Sequence, residues 1–587
     1  MAWDSQIPRR WASAIGTTDE MTKRKLVVIG NGMAGARAVE NVLSRDGGDL
    51  FAIAMFGDEP YGNYNRIMLS GILNGSKTLD DILINTPEWY ADSGVKLHSG
   101  DRVVDIDRVA KTVRSASGIV EPYDVLLIAT GSKAFVPPFK GAFDAAGRLK
   151  PGVFAYRTLD DCRAIAAHAK GARKAVTIGG GLLGLEAARA LGGLGCESHV
   201  VHLADHLLEL QLDATGGGLL RRAMEGFGLQ VHTGKATTEV LGADRVTGLA
   251  FKDGSTIDCD MVVVAAGVRP NSEIGLRAGL TVERAIVVND QMQSIDDRSI
   301  YAVGECAQHN GKVYGLVAPL WDQAAVFADH VTGRNDQAAY GGSKLATKLK
   351  VMGVELASMG ITNPRDEHDE VIQFAEPKRG TYKKLILRDG RLVGGILMGE
   401  ISKAPYLMQA FDRDSPLPEE RLALHFDLGT APPTLSPEEM PAETKVCNCN
   451  GVTKGAIGAS IAAGCRETQA VMAATRAGTG CGSCKSQVET LTAYFVARTP
   501  EPVSEEALSR LDGLMQARIL EDGTFSMRPD TEDGHCTPAQ LMRIAEVAMR
   551  YKVPSVRLMG HDRIDLVGLV KDDVARLWSE LYLTAAD

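Results

Sequence analysis

No apolar run in the 587 residues approaches the roughly 18 that a membrane-spanning helix needs, so no span is expected. Basic charge is also short. The 64 lysines and arginines face 74 acids, for a net charge of -10, and no basic cluster offsets it, which argues against a nucleic-acid partner. Arg9-Arg10 has no apolar segment after it before Asp19, Glu20 and Lys23, so a twin-arginine signal is not expected either. Residues 1–24 read as a disordered leader, with Met21 as a second candidate start. Cysteines are few and mostly scattered, ten in all, which suits a reducing cytoplasm better than a disulfide scaffold. What remains, 45% hydrophobic and 24% charged, is the composition of a globular chain long enough for about four domains.

The exception to the scatter is Cys447-Asn448-Cys449, followed after thirty-one residues by Cys481-Gly482-Ser483-Cys484. Close thiol pairs can converge on one metal centre, either an iron–sulfur cluster or a structural zinc tetrahedron. The C-x-C-x31-C-x2-C pattern resembles the BFD-like [2Fe-2S] module, and the likeness extends to Thr453 as a helix cap and to Gly478-Thr479-Gly480. Cys465 lies between the pairs without a close partner and reads as a small buried hydrophobe, as do Cys162, Cys196, Cys259 and Cys306.

Two glycine turns precede the cysteines. Lys25 to Gly35 reads as a strand (LVVI), then Gly30-Asn31-Gly32-Met33-Ala34-Gly35, then a helix to Leu43. Glycines there let the backbone turn tightly against a pyrophosphate, and the helix start supplies amide donors. A second strand, Phe51 to Phe56, ends just before Asp58 and Glu59, either of which can accept from ribose hydroxyls. Tyr123 to Ser132 ends in Ala129-Thr130-Gly131, and Ile300 to Cys306 ends in Gly304-Glu305. Both resemble recurring segments of two-dinucleotide-fold flavoprotein reductases. The resemblance implies FAD, with Glu305 on the ribitol chain and with Arg66 and Gly267 as further cofactor positions.

Between those segments, Ala175 to Ala188 repeats the pattern with Gly179, Gly181 and Gly184, the NAD(P)H fold in that family. Glu186 would face nicotinamide and flavin, the catalytic position implied by the resemblance; a polar helix residue is the plain alternative. The next strand should end in a ribose-reading residue, which falls on His202, with Asp205 three residues on. No arginine follows, so NADH is favoured over NADPH.

A further lack decides where the electrons go. No C-x4-C follows the first helix and no cysteine stands in Tyr61 to Gly71, so neither a dithiol nor a single thiol can take them from the flavin. The cysteine pairs are the remaining acceptor, which favours the cluster over redox-inert zinc.

Ser343 to Gly360 and Lys383 to Gly399 alternate like strands, with Asp389-Gly390 as a hairpin signal, and resemble the small interface domain of the same reductases. Residues 413–444 are rich in proline and read as a partly extended tether that lets the cluster swing. Thr537-Pro538 opens a helix, two strands follow, and a last helix spans Asp572 to Leu581. VPSVRLMGHDRIDLVGLVKDDVARLW resembles the ferredoxin-like half-domain of nitrite and sulfite reductases. With YNRIMLS, VYGLVAP and TKLKVMGVELASMG, the chain resembles the large subunit of NAD(P)H-dependent nitrite reductase or the electron-transfer subunit of nitrate reductase. The siroheme-binding C-x5-C and C-x3-C pairs of that family are missing, and Cys536 is the only cysteine after Cys484. His561, Asp562 and Arg563 read as structural or docking residues.

The expected fold is therefore α/β, with FAD- and NAD(P)-binding Rossmann domains, an α+β interface domain, a small helical BFD-like [2Fe-2S] domain and a ferredoxin-like half-domain. The expected boundaries are 25–144 (FAD, first part), 145–254 (NAD(P)H), 255–335 (FAD, second part), 336–412 (interface), 413–444 (linker), 445–500 (cluster) and 505–583 (half-domain). The resemblance implies electron flow from NAD(P)H through FAD and [2Fe-2S] to a separate molybdenum nitrate reductase or siroheme nitrite reductase subunit, with a homodimer as a further expectation. Three other readings stay open: a ferredoxin or rubredoxin reductase, a redox-sensing cluster module, and a truncated nitrite reductase.

Overall fold

The computed structural model describes residues 23–351, 353–426, 436–480, 482, 484–499, 517–520, 524–527, 537–559 and 563–582. One unit holds the chain up to Ala456 together with Thr475–Thr490; the other holds Ile457–Ala474 and the chain from Leu491 on. Among the described residues no helix is long and apolar enough to cross a membrane.

The first unit is built on two five-stranded parallel sheets that share the order of their glycine-turn strand and its neighbours but differ in the outer strand, which comes last in the chain in one sheet and first in the other. In one, the order is Ile300–Ala302, Val125–Ile128, Arg24–Ile29, Phe51–Gly57, Val95–Ser99. In the other it is Val153–Ala155, Met261–Val264, Lys174–Ile178, Glu197–Val201, Gln230–His232. Parallel strands covered on both faces should be apolar throughout, and Leu26 to Ile29 and Leu126 to Ile128 are all buried. The second sheet is inserted between the last two strands of the first. Ser132–Ala134 pairs antiparallel with Val268–Pro270, so the exit and return of the insertion form one ribbon.

A third, antiparallel sheet runs Ala346–Val351, Val354–Gly360, Arg391–Met398, Thr381–Arg388, Glu370–Glu376. Its central hairpin turns at Asp389 (φ 52°) and Gly390 (φ 71°), the two left-handed positions that a two-residue turn needs to match strand twist. The sheet is pinned to the second dinucleotide fold at Asp213. That carboxylate caps the helix Ala214–Gly226 through the Gly216 amide and accepts from Tyr382 (2.6 Å) and the Lys384 ammonium (2.7 Å). Burial opposes the charge on Asp213, but these donors outweigh it and hold its carboxyl below the usual range. Asp213→Ala would leave the Lys384 charge, in a site only 8% exposed, facing neutral acceptors alone, the Thr362 carbonyl (2.9 Å) and Asn363 Oδ1 (3.5 Å). We expect a loss of about 3–5 kcal/mol in chemical denaturation. In the native protein this contribution is complete above roughly pH 4 and fades as pH falls through the lowered folded value.

Both described ends of the proline-rich segment 413–444 are anchored. Pro416 bridges Arg391, the Leu417 amide donates to the Gly390 carbonyl, and Leu417 and Leu424 lie in the third sheet's core with Leu385 and Leu397. Further on, Met440 is buried and its carbonyl accepts from Lys454, while the Ala442 and Thr444 carbonyls accept from Gly455 and Lys454 amides. Spaced leucines among the prolines anchor the segment to its neighbours; residues 427–435 lie outside the described residues.

The second unit contains a four-stranded antiparallel sheet, Ala517–Ile519, Phe525–Met527, Arg563–Leu569, Ser555–Met559, with helices Pro538–Arg550 and Lys571–Tyr582. Thr537 and Gln540 form a reciprocal capping box ahead of Pro538. Met527, Ile544, Val547, Leu566 and Leu577 form its core. Cys536, His561 and Asp562 lie outside the described residues. Of the scattered cysteines, Cys162, Cys196, Cys259 and Cys306 are buried, whereas Cys465 is half-exposed.

Candidate functional site

Each dinucleotide fold begins with a glycine turn that tolerates no side chain at two of its three positions. Gly30 has φ +118°, and a Cβ there would sit 2.2 Å from the Ala129 carbonyl oxygen; one on Gly35 would sit 2.1 Å from the Gly30 carbonyl oxygen. Around Gly32 nothing lies within 4 Å. The closed positions bring the helix Met33–Leu43 onto the strands, and the open one leaves the backbone clear for a pyrophosphate. Gly179, Gly184 and Gly181 repeat this, with Ala265 in the place of Ala129.

The acids at the flavin turn divide. Asp58 is exposed, with Arg102 at 4.0 Å. Glu59 turns inward to the Tyr64 hydroxyl (2.6 Å) and the Arg66 guanidinium. Arg66 also donates to the Arg157 carbonyl (3.2 Å), and the Arg157 guanidinium pairs with Glu305. Ser132 donates to Glu305 (2.6 Å) and accepts from Arg157 (2.8 Å). The two acids assigned to opposite ends of the flavin site therefore meet one chain of guanidinium groups. Thr130 and Asn271 exchange two bonds across the ribbon, Thr130 Oγ1 to the Asn271 carbonyl (2.6 Å) and Asn271 Nδ2 to the Thr130 carbonyl (3.0 Å). The Gly304 amide is taken by Gln323 (2.8 Å), and the Gly267 carbonyl accepts from the Phe135 amide.

At the nucleotide turn His202 points into the protein. Its Nδ1 accepts from the Gly180 amide (3.0 Å), its Nε2 meets Glu209 (2.9 Å), and a Cβ on Gly180 would come within 2.7 Å of the ring. Leu203, Asp205, Glu209 and Leu210 are the exposed side chains beyond that strand. Glu186 is half-buried on the helix Leu182–Gly193 and bears electrostatically on the buried Tyr156 hydroxyl, whose ionisation is suppressed by burial first and then by Cys162 and Glu186.

The cysteine loop belongs to the same unit. Cys447 and Cys449 are buried with their sulfurs 3.4 Å apart; thiolates sharing one tetrahedral metal with bonds of about 2.3 Å stand about 3.8 Å apart. Cys447 is driven well toward thiolate, to about 3, by donation from Cys449 and Cys484 and by the Gly478 and Asn450 amides, against its burial. Sulfurs already close, with amide donors aimed at one of them, fit a cluster ligated by thiolates. Cys481 lies outside the described residues. Thr453 caps the following helix by accepting from the Ala456 amide.

Sequence reasoning missed the residues that hold this loop. Arg37 donates to the Asn450 carbonyl (2.7 Å) and lies 4.5 Å over the Trp321 ring. Trp321 donates to the Asn448 carbonyl (3.1 Å), and Arg476 pairs with Glu40 (2.8 Å). Arg37 and Glu40 share a helix face three residues apart, a visible pattern, but nothing in the chain says that the face meets residues four hundred positions away. Arg157 and Asn271 were missed for the same reason, as loop residues whose partners are distant in sequence.

Residues 24–325 match the pyridine nucleotide-disulphide oxidoreductase family, 346–414 the rubredoxin NAD+ reductase C-terminal domain, 445–493 the BFD-like [2Fe-2S] binding domain and 518–583 the nitrite/sulfite reductase ferredoxin-like half domain. The third match decides for the iron–sulfur cluster over zinc. The chain is 39% identical to a nitrite reductase [NAD(P)H] of Bacillus subtilis, over 96% of this chain and 77% of that one. It is 35% identical to the assimilatory nitrate reductase electron transfer subunit of the same organism, over 96% and 78%. Among solved structures it is similar to NADH:rubredoxin oxidoreductase from Clostridium acetobutylicum, with TM-score 0.55, 27% identity, and coverage of 70% of this chain and 98% of that one. It is also similar to a ferredoxin reductase from Rhodopseudomonas palustris, with TM-score 0.61, 26% identity, and coverage of 67% and 96%.

Proposed function

This chain belongs to the family of NAD(P)H nitrite reductase large subunits and assimilatory nitrate reductase electron-transfer subunits, and from that premise we propose that it feeds electrons from NAD(P)H to a nitrate- or nitrite-reducing centre outside these 587 residues. When bound, FAD would supply two-electron uptake from NAD(P)H with release one electron at a time, and a [2Fe-2S] centre would supply one-electron transfer. The glycine turns at Gly30 and Gly179 hold the two dinucleotides. Glu59, Arg66, Ser132 and Glu305 hold polar groups of the flavin, Glu186 lies at the nicotinamide side, and Cys447, Cys449, Cys481 and Cys484 ligate the cluster. The observation that carries this reading is that both turns and the cysteine loop belong to one unit, in a sequence with no C-x4-C after the first helix and no cysteine in Tyr61 to Gly71.

The receiving partner is a separate catalytic subunit, either a molybdenum nitrate reductase or a siroheme nitrite reductase, and the location is the cytoplasm. The matched half-domain at 518–583 supports this pairing. A second reading, delivery to a rubredoxin or ferredoxin, is favoured by the match at 346–414 and leaves that half-domain unexplained.

Two measurements test the proposal. In anaerobic titration with NADH, flavin absorbance should bleach and the cluster's paramagnetic signal should follow; a cluster that stays oxidised sinks electron transfer and supports a sensing role. A deletion strain should lose growth on nitrate while keeping growth on ammonium. Loss on nitrite as well would identify the nitrite enzyme as the acceptor, and normal growth on all three sources would remove the nitrogen assignment.

A further inference from the structure

We propose that Arg37, Glu40, Trp321 and Arg476 are positioning residues that clamp the cysteine loop onto the two helices flanking the flavin site, so that the loop takes its electron in place rather than by swinging on residues 413–444. This rests on the electron-transfer reading above and adds the geometry by which the loop receives the electron.

The carbonyls on either side of Cys449 are both occupied from those helices. Trp321, on Val317–Val331, takes the Asn448 carbonyl, and Arg37, on Met33–Leu43, takes the Asn450 carbonyl. The Arg37 guanidinium stacks on the Trp321 ring, so each fixes the other's rotamer. Gly451 leaves no room for slippage, since a Cβ there would stand 2.7 Å from Trp321 Cδ1. The same helices serve the dinucleotide, because Met33–Leu43 starts at the Gly30–Gly35 turn and Gln323 of Val317–Val331 takes the Gly304 amide.

The loop before the second cysteine pair is tied to the same place. Glu40 accepts from Arg476 (2.8 Å) and Asn85 (2.8 Å), with Arg37 at 3.4 Å. Arg476 itself is left-handed (φ 64°), and its carbonyl accepts from Asn450 Nδ2 (2.6 Å) and Thr479 Oγ1 (2.8 Å). A Cβ on Gly480 would lie 2.7 Å from the Cys449 sulfur and 3.4 Å from Asn65 Nδ2, so the loop packs onto the residue next to Arg66. Lys445 and Asp322 (37% each) and Arg476 (36%) are half-exposed; the Arg37–Glu40 pair is more deeply buried, where charge-assisted bonds are strong. Two guanidinium groups against one carboxylate leave a positive charge beside Cys447, which favours the added electron on a centre held by thiolates.

Trp321→Phe removes the indole donor and keeps the ring, and Arg37→Gln removes the positive charge. With FAD and iron contents equal to those of the native protein, Trp321→Phe should leave flavin reduction by NADH unchanged in stopped flow and slow reduction of the cluster at least tenfold. Amide hydrogen exchange over 445–456 should rise at least tenfold in the same variant, a readout that needs no turnover. Arg37→Gln should make the cluster's midpoint potential more negative in a redox titration. Native cluster reduction and native exchange in Trp321→Phe would overturn the clamp, as would an unchanged potential in Arg37→Gln. If the native protein fails to reduce its cluster with NADH, the electron-transfer reading falls, while the exchange comparison still reads the clamp by itself.

Discussion

Cys447→Ser should yield a yellow protein without its iron–sulfur chromophore. Cys447 is 1% exposed, and its sulfur sits 3.4 Å from that of Cys449 with the Gly478 and Asn450 amides directed at it. A serine hydroxyl is shorter and stays protonated at neutral pH, so it neither reaches the metal nor supplies the anionic charge that the site is built to stabilise. Because the glycine turns lie on other elements, FAD should remain and NADH should still bleach it. Delivery to a natural acceptor should fall by at least about a hundredfold, since second-sphere changes alone cost 10- to 100-fold at metal sites. Iron analysis, visible spectra and stopped-flow reduction of the flavin check the three parts separately. Retained cluster absorbance would remove Cys447 from the ligand set.

A matched pair of glycine variants should separate the two nucleotide sites. Gly30→Ala should emerge colourless, whereas Gly179→Ala should emerge yellow but slow to react with NADH. In both, the new methyl would lie 2.2 Å from a backbone carbonyl oxygen, of Ala129 or Ala265, at a φ of +118° or +126° that alanine avoids. Neither neighbour can rotate away, because each carbonyl belongs to the end of a buried strand. The strain of such a conformation is about 1–3 kcal/mol, and relieving the overlap must open the turn that faces the pyrophosphate. A combined loss of about 3 kcal/mol corresponds to roughly a hundredfold in the second-order rate of flavin reduction by NADH. Dithionite should still reduce the flavin of Gly179→Ala at the native rate, which confines the defect to the nucleotide. A native rate with NADH would show that the 175–188 turn is not where the nucleotide binds.

These sites were legible because the physics leaves few alternatives. Glycine alone fits where a Cβ would strike a carbonyl, and a thiol pair with one or two residues between its members has few other uses. The sequence therefore pointed to both turns and to the cysteine loop before any fold was known. His202 was harder to read, since a histidine at a strand end can face outward to a ribose or inward to an amide. The Gly180 amide and Glu209 draw it inward. The 413–444 segment was read from its composition, which averages over Leu417, Leu424 and Met440. Leu417 and Leu424 in the third sheet's core and Met440 buried further on pin the two described ends of a proline-rich stretch. The loop clamp was illegible for another reason. Arg37 and Asn450 stand 413 residues apart, and no local pattern encodes a contact over that distance.

The insertion of one dinucleotide fold inside the other also governs how the protein is made. Strand Ile300–Ala302 pairs with Val125–Ile128, yet the whole of the second parallel sheet is synthesised between them. At about 5–20 residues per second, the ribosome leaves the first sheet one strand short for on the order of ten seconds. Through that interval the edge of Val125–Ile128 is unpaired, and Gly304 and Glu305 have yet to emerge. Flavin loading should therefore be a late event in biogenesis, and a chain interrupted before residue 300 should be a substrate for chaperones and proteases rather than a partial enzyme.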